Sequence, residues 1–130
     1  FTATSVTSLG SQPALATFNV ARGASSWPAL STAEYVSIQM LNEGSLELAK
    51  KMSQDHTKRF LDDDWFIEQN TKLPIFNQVN AVLICKVRER HEVEANAVIV
   101  VEIVSGLLAE ELPSLLYHHR GYVVPGNRLS

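Results

Sequence analysis

Apolar and polar positions alternate with the two-residue period of a strand along much of this chain. At residues 35–41, Val36, Ile38 and Met40 alternate with Tyr35, Ser37 and Gln39, which predicts a strand with one buried face. Residues 2–9 are rich in Thr, Ser and Val, and turn residues Gly10, Ser11, Gln12 and Pro13 follow. Residues 14–20 then read as a second strand, so the two form a hairpin. In residues 81–92, Leu83, Cys85 and Val87 alternate with Lys86, Arg88 and Arg90, the pattern of a half-exposed strand. Residues 97–104 are apolar on both faces apart from Glu102, so both faces need cover, and a second subunit is the expected cover for one. Residues 115–117 and 121–124 read as the last strands of the sheet.

Helical signals are short. Ser26 is placed to cap a helix running to about Ala33, with Pro28 tolerated in its first turn. Ser45 is placed to cap a second, in which Leu46, Ala49 and either Lys50 or Met52 share a face. Short antiparallel strands with two short helices predict a mainly β domain, a small barrel carrying helices.

Composition narrows the class. A chain of 130 residues forms one domain, residues 1–130, and 45% apolar with 19% charged residues marks an ordered protein. A net charge of −3 gives no electrostatic reason to expect nucleic acid. Cys85 is the single cysteine, which excludes an internal disulfide and a multi-cysteine zinc site. No apolar run approaches the roughly 20 residues that span a bilayer. The chain opens at Phe1 inside a strand-like pattern, which predicts that residues precede it.

The candidate chemistry lies at residues 22–28, "RGASSWP". Arg22 brings a cation, Gly23 and Ala24 allow close approach to the backbone, and Ser25 and Ser26 bring hydroxyls before a helix start. Two readings stay open on the residues alone: a serine-capped turn with a surface arginine, or a seat for a phosphate. Elsewhere the simple readings suffice. Asp62, Asp63 and Asp64 are consecutive and lack the alternating spacing of a cation loop, so they read as a charged turn. His91, Glu92 and Glu94 lie at a hairpin end without a helical histidine pair, and no metal is expected. Cys85 is a core residue on an apolar face. Glu102 needs a basic partner, expected across a dimer or near the groove. Lys50, Lys51, Lys58 and Arg59 read as a solvated, mixed-charge face. His118 and His119 are adjacent, so on a strand they point to opposite faces and only one serves a site.

The opening stretch "FTATSVTSLGSQPALATFNVARGASSWPAL" resembles the flavin reductase-like family, and "HTKRF", "DDDW", "LICKVRERHEV" and "LLYHHRGY" follow in the family's order. The resemblance implies an FMN-binding split barrel, mainly β, a split antiparallel barrel with short flanking helices. It implies a cytoplasmic homodimer with FMN in a groove at the subunit interface, FAD being the alternative flavin. It further implies hydride transfer from NADH or NADPH and delivery of reduced flavin to a separate monooxygenase. Carried over by position, Thr2, Ala3, Thr4 and Ser5 would line the isoalloxazine and ribityl chain. Arg22, Ser25 and Ser26 would hold the phosphate, with Trp27 packed beside them. Trp65 and residues 118–122 would lie near the flavin or nicotinamide, with His118 as the catalytic candidate and Arg120 as a contact for a nucleotide phosphate. Three stretches depart from the family's pattern. Glu94, Ala95 and Asn96 stand where Gly-Asp-His is common, Val101 replaces a glycine, and "NTKLP" lacks one. The resemblance places them on the groove's other wall, away from the phosphate seat, and they define an alternative: an FMN-binding protein with weak or no reductase activity.

Overall fold

The computed structural model describes residues 1–3, 5–61, 64–108 and 111–129. Its centre is a five-stranded antiparallel sheet. In chain order the strands are β1 (Thr7–Ser11), β2 (Ala14–Ala21), β3 (Tyr35–Leu41), β6 (Val79–Val93) and β7 (Asn96–Leu108), and they lie in the order β1-β2-β7-β6-β3. Two small antiparallel ribbons stand apart from it, β4 (Trp65–Ile67) with β5 (Pro74–Phe76), and β8 (Leu116–His118) with β9 (Gly121–Val123), the last two pairing with each other and not finishing the sheet as expected. Helix α1 (Trp27–Leu30) joins β2 to β3, and α2 (Leu46–Met52) follows β3. The predicted mainly β, antiparallel domain with short flanking helices is what folds.

The core is divided by β6. Leu83, Cys85 and Val87 face a cluster that includes Phe18, Val36, Ile99 and Val101, with Trp27 and Leu30 of α1 packed on it. Val82 and Ile84, on the opposite face, join Val79, Ile75 and Phe76 in a second cluster under Leu48, Met52 and Trp65. The start of β6 is therefore buried on both faces, not half exposed as the Lys86, Arg88, Arg90 alternation predicts. Bulges between Ile84 and Cys85 and between Val87 and Glu89 bend the β6–β7 ribbon beside this division. Each fully buried aliphatic chain, Ile99, Val101 or Val79, contributes about 1.5–3 kcal/mol by leaving water. Burial also pushes the Cys85 thiol up to about 11, which keeps it neutral and inert.

Several boundaries differ from expectation for identifiable reasons. The first ladder starts at Thr7, not at residue 2, because the preceding segment leaves the sheet: the Thr2 hydroxyl donates to the Ala49 carbonyl of α2 at 2.8 Å. Helix α1 stops at one turn. Its C-terminal carbonyls are taken by Arg90, whose Nε donates to Leu30 O at 2.8 Å and whose Nη2 donates to Ala33 O. Ser45 does not cap α2. Asn42 opens a 3-10 turn, Glu43–Ser45, that leads into the helix, and its Oδ1 accepts from the Gly44 N–H at 2.9 Å. Glu102 pairs with Arg88 on the neighbouring strand of the same chain at 3.0 Å. On β7, Ala97, Ile99 and Val101 are fully buried, whereas Val98 and Val100 on the other face are only partly covered within one chain.

Candidate functional site

Thr2, Ala3 and Ser5 meet β2 and the residue after Gly23 around one open cleft of about 260 Å³, which Phe1, Asn19, Val20, Ala21 and Ala24 complete. The segment runs across the end of β2 because Thr2 is tied to α2 and the Phe1 ring packs on Phe18, with centroids 6.1 Å apart. Thr4, the fourth residue expected there, lies outside the described residues. Ala21 and Ala24 line the cleft on either side of Arg22 and Gly23, so the "RGASSWP" turn forms its rim. Turn bonds from the Ala24 N–H to Ala21 O and from the Trp27 N–H to Ala24 O shape that rim.

The seat is charged differently from the way its sequence predicts. Ser26 sits at the start of α1 with helical angles, φ −81° and ψ −15°, and its side chain caps nothing. Its hydroxyl accepts instead from Arg59 Nη1 at 3.1 Å. Arg59 Nη2 reaches the Gln54 carbonyl at 3.5 Å, while its Nε is buried and has no partner among the described residues. A buried, unsatisfied donor on a cation is costly unless an anion meets it. Because α1 is a single turn, its dipole adds little, and the positive charge at the seat is supplied by side chains. A phosphate fits this donor set: hydroxyls, backbone N–H groups and an arginine with an open Nε.

Arg59 is the residue that sequence reasoning missed. It reads as part of a solvated, mixed-charge face, and only the "HTKRF" match to the family marks it. Its position follows from a 3-10 turn, His56–Lys58, opened by Asp55, whose carboxylate accepts from the Thr57 N–H at 3.0 Å and hydroxyl at 2.8 Å. These bonds hold the Asp55 carboxyl below its usual range.

The other expected residues divide. Arg22 belongs to this turn, but its Nη1 donates to Glu94 O at 3.0 Å and its Nε lies 3.6 Å from Glu92, so Glu94 and Ala95, expected on the groove's other wall, are bonded to the arginine of the expected phosphate seat. Ser25 is exposed beside it, and Trp27 packs against the first core cluster. Trp65 is a core residue: Phe60 meets it edge-on at 5.2 Å and stacks on Phe76 at 5.6 Å. His118 is exposed at the end of β8, and among the described residues no hydrogen bond or ring contact links it to the rim. His118 and His119 do not point to opposite faces. His119 (φ 49°) and Arg120 (φ 62°) are both left-handed and form a two-residue turn, which brings the two imidazoles to 4.0 Å between centroids. Asp62 and Asp63 fall outside the described residues. Among the described residues, no three metal-ligating groups converge, and no helix is long and apolar enough to cross a membrane.

Comparison with known proteins gives this arrangement its context. Residues 1–125 match the model of the flavin reductase like domain. An NADH:FMN oxidoreductase of Rhodococcus qingshengii is 32% identical over 130 residues, covering 96% of this chain and 67% of that protein. The stachydrine N-demethylase reductase subunit Stc3 of Rhizobium meliloti is 31% identical, over 96% of this chain and 54% of its own length. Among solved structures, a flavin reductase domain protein from Arthrobacter sp. FB24 superposes with a TM-score of 0.92 at 40% identity, covering 97% of this chain and 78% of that one. With a family match over nearly its whole length and the same fold at 40% identity, this chain belongs to the flavin reductase-like family.

Proposed function

We propose that this protein is a flavin reductase that binds FMN and reduces it with NADH or NADPH, supplying reduced flavin to a separate monooxygenase. The observation that carries the site is the Arg59–Ser26 contact, which sets a cation with an unpartnered Nε on the turn whose Ala24 lines the cleft of residues 1–3 and 5. Ser25, Ser26, Arg59 and Arg22 would hold the flavin phosphate. Thr2, Ala3, Ser5 and, by its position in the sequence, Thr4 would line the ring and ribityl chain, with Trp27 bracing the rim from the core side. FAD is the alternative flavin.

Bound flavin would supply the hydride-accepting ring, so the protein needs no nucleophile of its own. Its contribution is to hold two flat ring systems face to face and to keep water from between them. His118 would contribute the imidazole nearest the reacting rings. Exposed on its ribbon and, among the described residues, without a hydrogen bond or ring contact to the cleft residues, it would meet a cleft across an assembled dimer. We therefore read the protein as a homodimer of split barrels, and as cytoplasmic.

The test is a fluorescence titration with FMN and riboflavin side by side, followed by NADH and NADPH oxidation with FMN as acceptor. Clear preference for FMN together with nicotinamide-dependent turnover is expected. FMN binding without turnover would select the alternative, a flavin-binding protein lacking reductase activity. Glu94, Ala95 and Asn96 at the β6–β7 turn favour that second reading, since they depart from the family's Gly-Asp-His.

A further inference from the structure

Arg22 is bound at both ends to the tip of the β6–β7 hairpin. Its backbone N–H donates to Ala95 O at 2.8 Å, its Nη1 donates to Glu94 O at 3.0 Å, and its Nε lies 3.6 Å from the Glu92 carboxylate. Glu94 between these contacts is left-handed, φ 53°, so the two Arg22 bonds brace a turn that its own sequence does not favour. The guanidinium has five N–H donors. One faces a carboxylate, one a carbonyl, and Nη2 has no hydrogen bond among the described residues. In the chain Arg22 lies between Ala21 and Ala24, which both line the cleft.

We propose that Glu92 sets the affinity of the site for flavin by sharing Arg22 with the flavin phosphate. This rests on the flavin reductase reading above and deepens it. The two side chains are 42% and 54% exposed, so their pairing is weak and exchangeable, and screened by salt. A phosphate approaching Nη2 draws the guanidinium from Glu92, while the bond to Glu94 O keeps the arginine at the rim. Part of the attraction between Arg22 and phosphate is thus offset by the contact that is lost. A reductase whose reduced flavin must leave needs such moderation: Arg59 supplies retention, and the Arg22–Glu92 pair limits it.

The test is Glu92→Gln in the full chain, which removes the carboxylate's charge and keeps its shape. FMN should bind about threefold more tightly at low salt and dissociate correspondingly more slowly. The gain should fade at high salt, riboflavin affinity should stay constant, and in an Arg22→Ala background the same substitution should change nothing. Unchanged or weaker FMN binding in Glu92→Gln would overturn the proposal. So would an equal shift for riboflavin, or a gain that survives without Arg22. If the unsubstituted protein shows no preference for FMN over riboflavin, the phosphate seat and this proposal fall together. If it prefers FMN and Glu92→Gln has no effect, only the role of Glu92 is lost.

Discussion

Arg59 and Arg22 both meet the turn of residues 22–28, in different surroundings. The first holds Ser26 and has a buried Nε without a partner, whereas the second is exposed and already engaged by the β6–β7 turn. A charge-assisted hydrogen bond shielded from water contributes about 1.5–3 kcal/mol, which corresponds to about tenfold or more in affinity. Arg59→Gln should therefore weaken FMN binding at least tenfold, while Arg22→Ala should weaken it only about threefold, riboflavin binding being unaffected by either. Equal losses for FMN and riboflavin in a side-by-side titration would remove Arg59 from the phosphate. The turn itself was legible: a glycine and small residues after an apolar run end the strand at Ala21. The contact of Arg59 with it was not, because Arg59 and Ser26 are 33 positions apart and no local periodicity joins them. Glu102 shows the same limit from the other side. Its need for a basic partner could be read from an apolar strand, but the partner, Arg88, emerges only from the register of β6 against β7.

At the scale of elements, serine before an apolar run predicts a helix cap, and both predicted caps fail for reasons of backbone geometry. Ser26 has helical angles, which turn its hydroxyl away from the first-turn N–H groups and leave it for Arg59. The cap before α2 belongs to Asn42, fully buried, which accepts from Gly44 N–H and donates to Asn80 Oδ1 at 3.2 Å. The two positions should thus respond in opposite ways. Ser26→Ala should leave thermal stability nearly unchanged and weaken FMN binding. Asn42→Ala should destabilise the fold by about 1–3 kcal/mol, through the lost cap and the groups left unsatisfied, with FMN affinity of the folded fraction retained. Denaturant unfolding paired with flavin titration separates them, and a large stability loss in Ser26→Ala would restore it as a cap. Strands with clean alternation, such as β3, were legible to the residue. The β4–β5 ribbon was not, being two three-residue strands too short to show a period. The β8–β9 turn carries His119 and Arg120 where such turns favour Asn-Gly, so nothing in the sequence announces that the two imidazoles will stack.

For the whole molecule, β7 poses a burial problem that one chain leaves open. Its first half has a fully buried face and a partly covered one. Its second half carries Val104, Leu107 and Leu108, 49%, 59% and 78% exposed, and the separate β8–β9 ribbon exposes Leu116, Tyr117 and Val123. The uninterrupted apolar pattern of residues 97–104 already called for cover on both faces, and the exposed strip lies on the same strand. A stable interface buries about 800 Å² per partner, for which a long strand with an exposed apolar end is a suitable platform. If a second copy covers this strip, the ribbon bearing His118 is held at the interface, and His118 is placed against a partner's cleft instead of open water. Leu107→Asp, which puts a charge at the middle of the strip, should then convert a dimer to a monomer in light scattering after size exclusion, with the chain still folded by circular dichroism. Nicotinamide-dependent turnover should be lost in that monomer, while part of the FMN affinity persists, since Arg59, Ser26 and the cleft of residues 1–3 and 5 belong to one chain. A monomeric variant with full turnover would show that the ribbon histidine serves no partner site, and would return His118 to the surface.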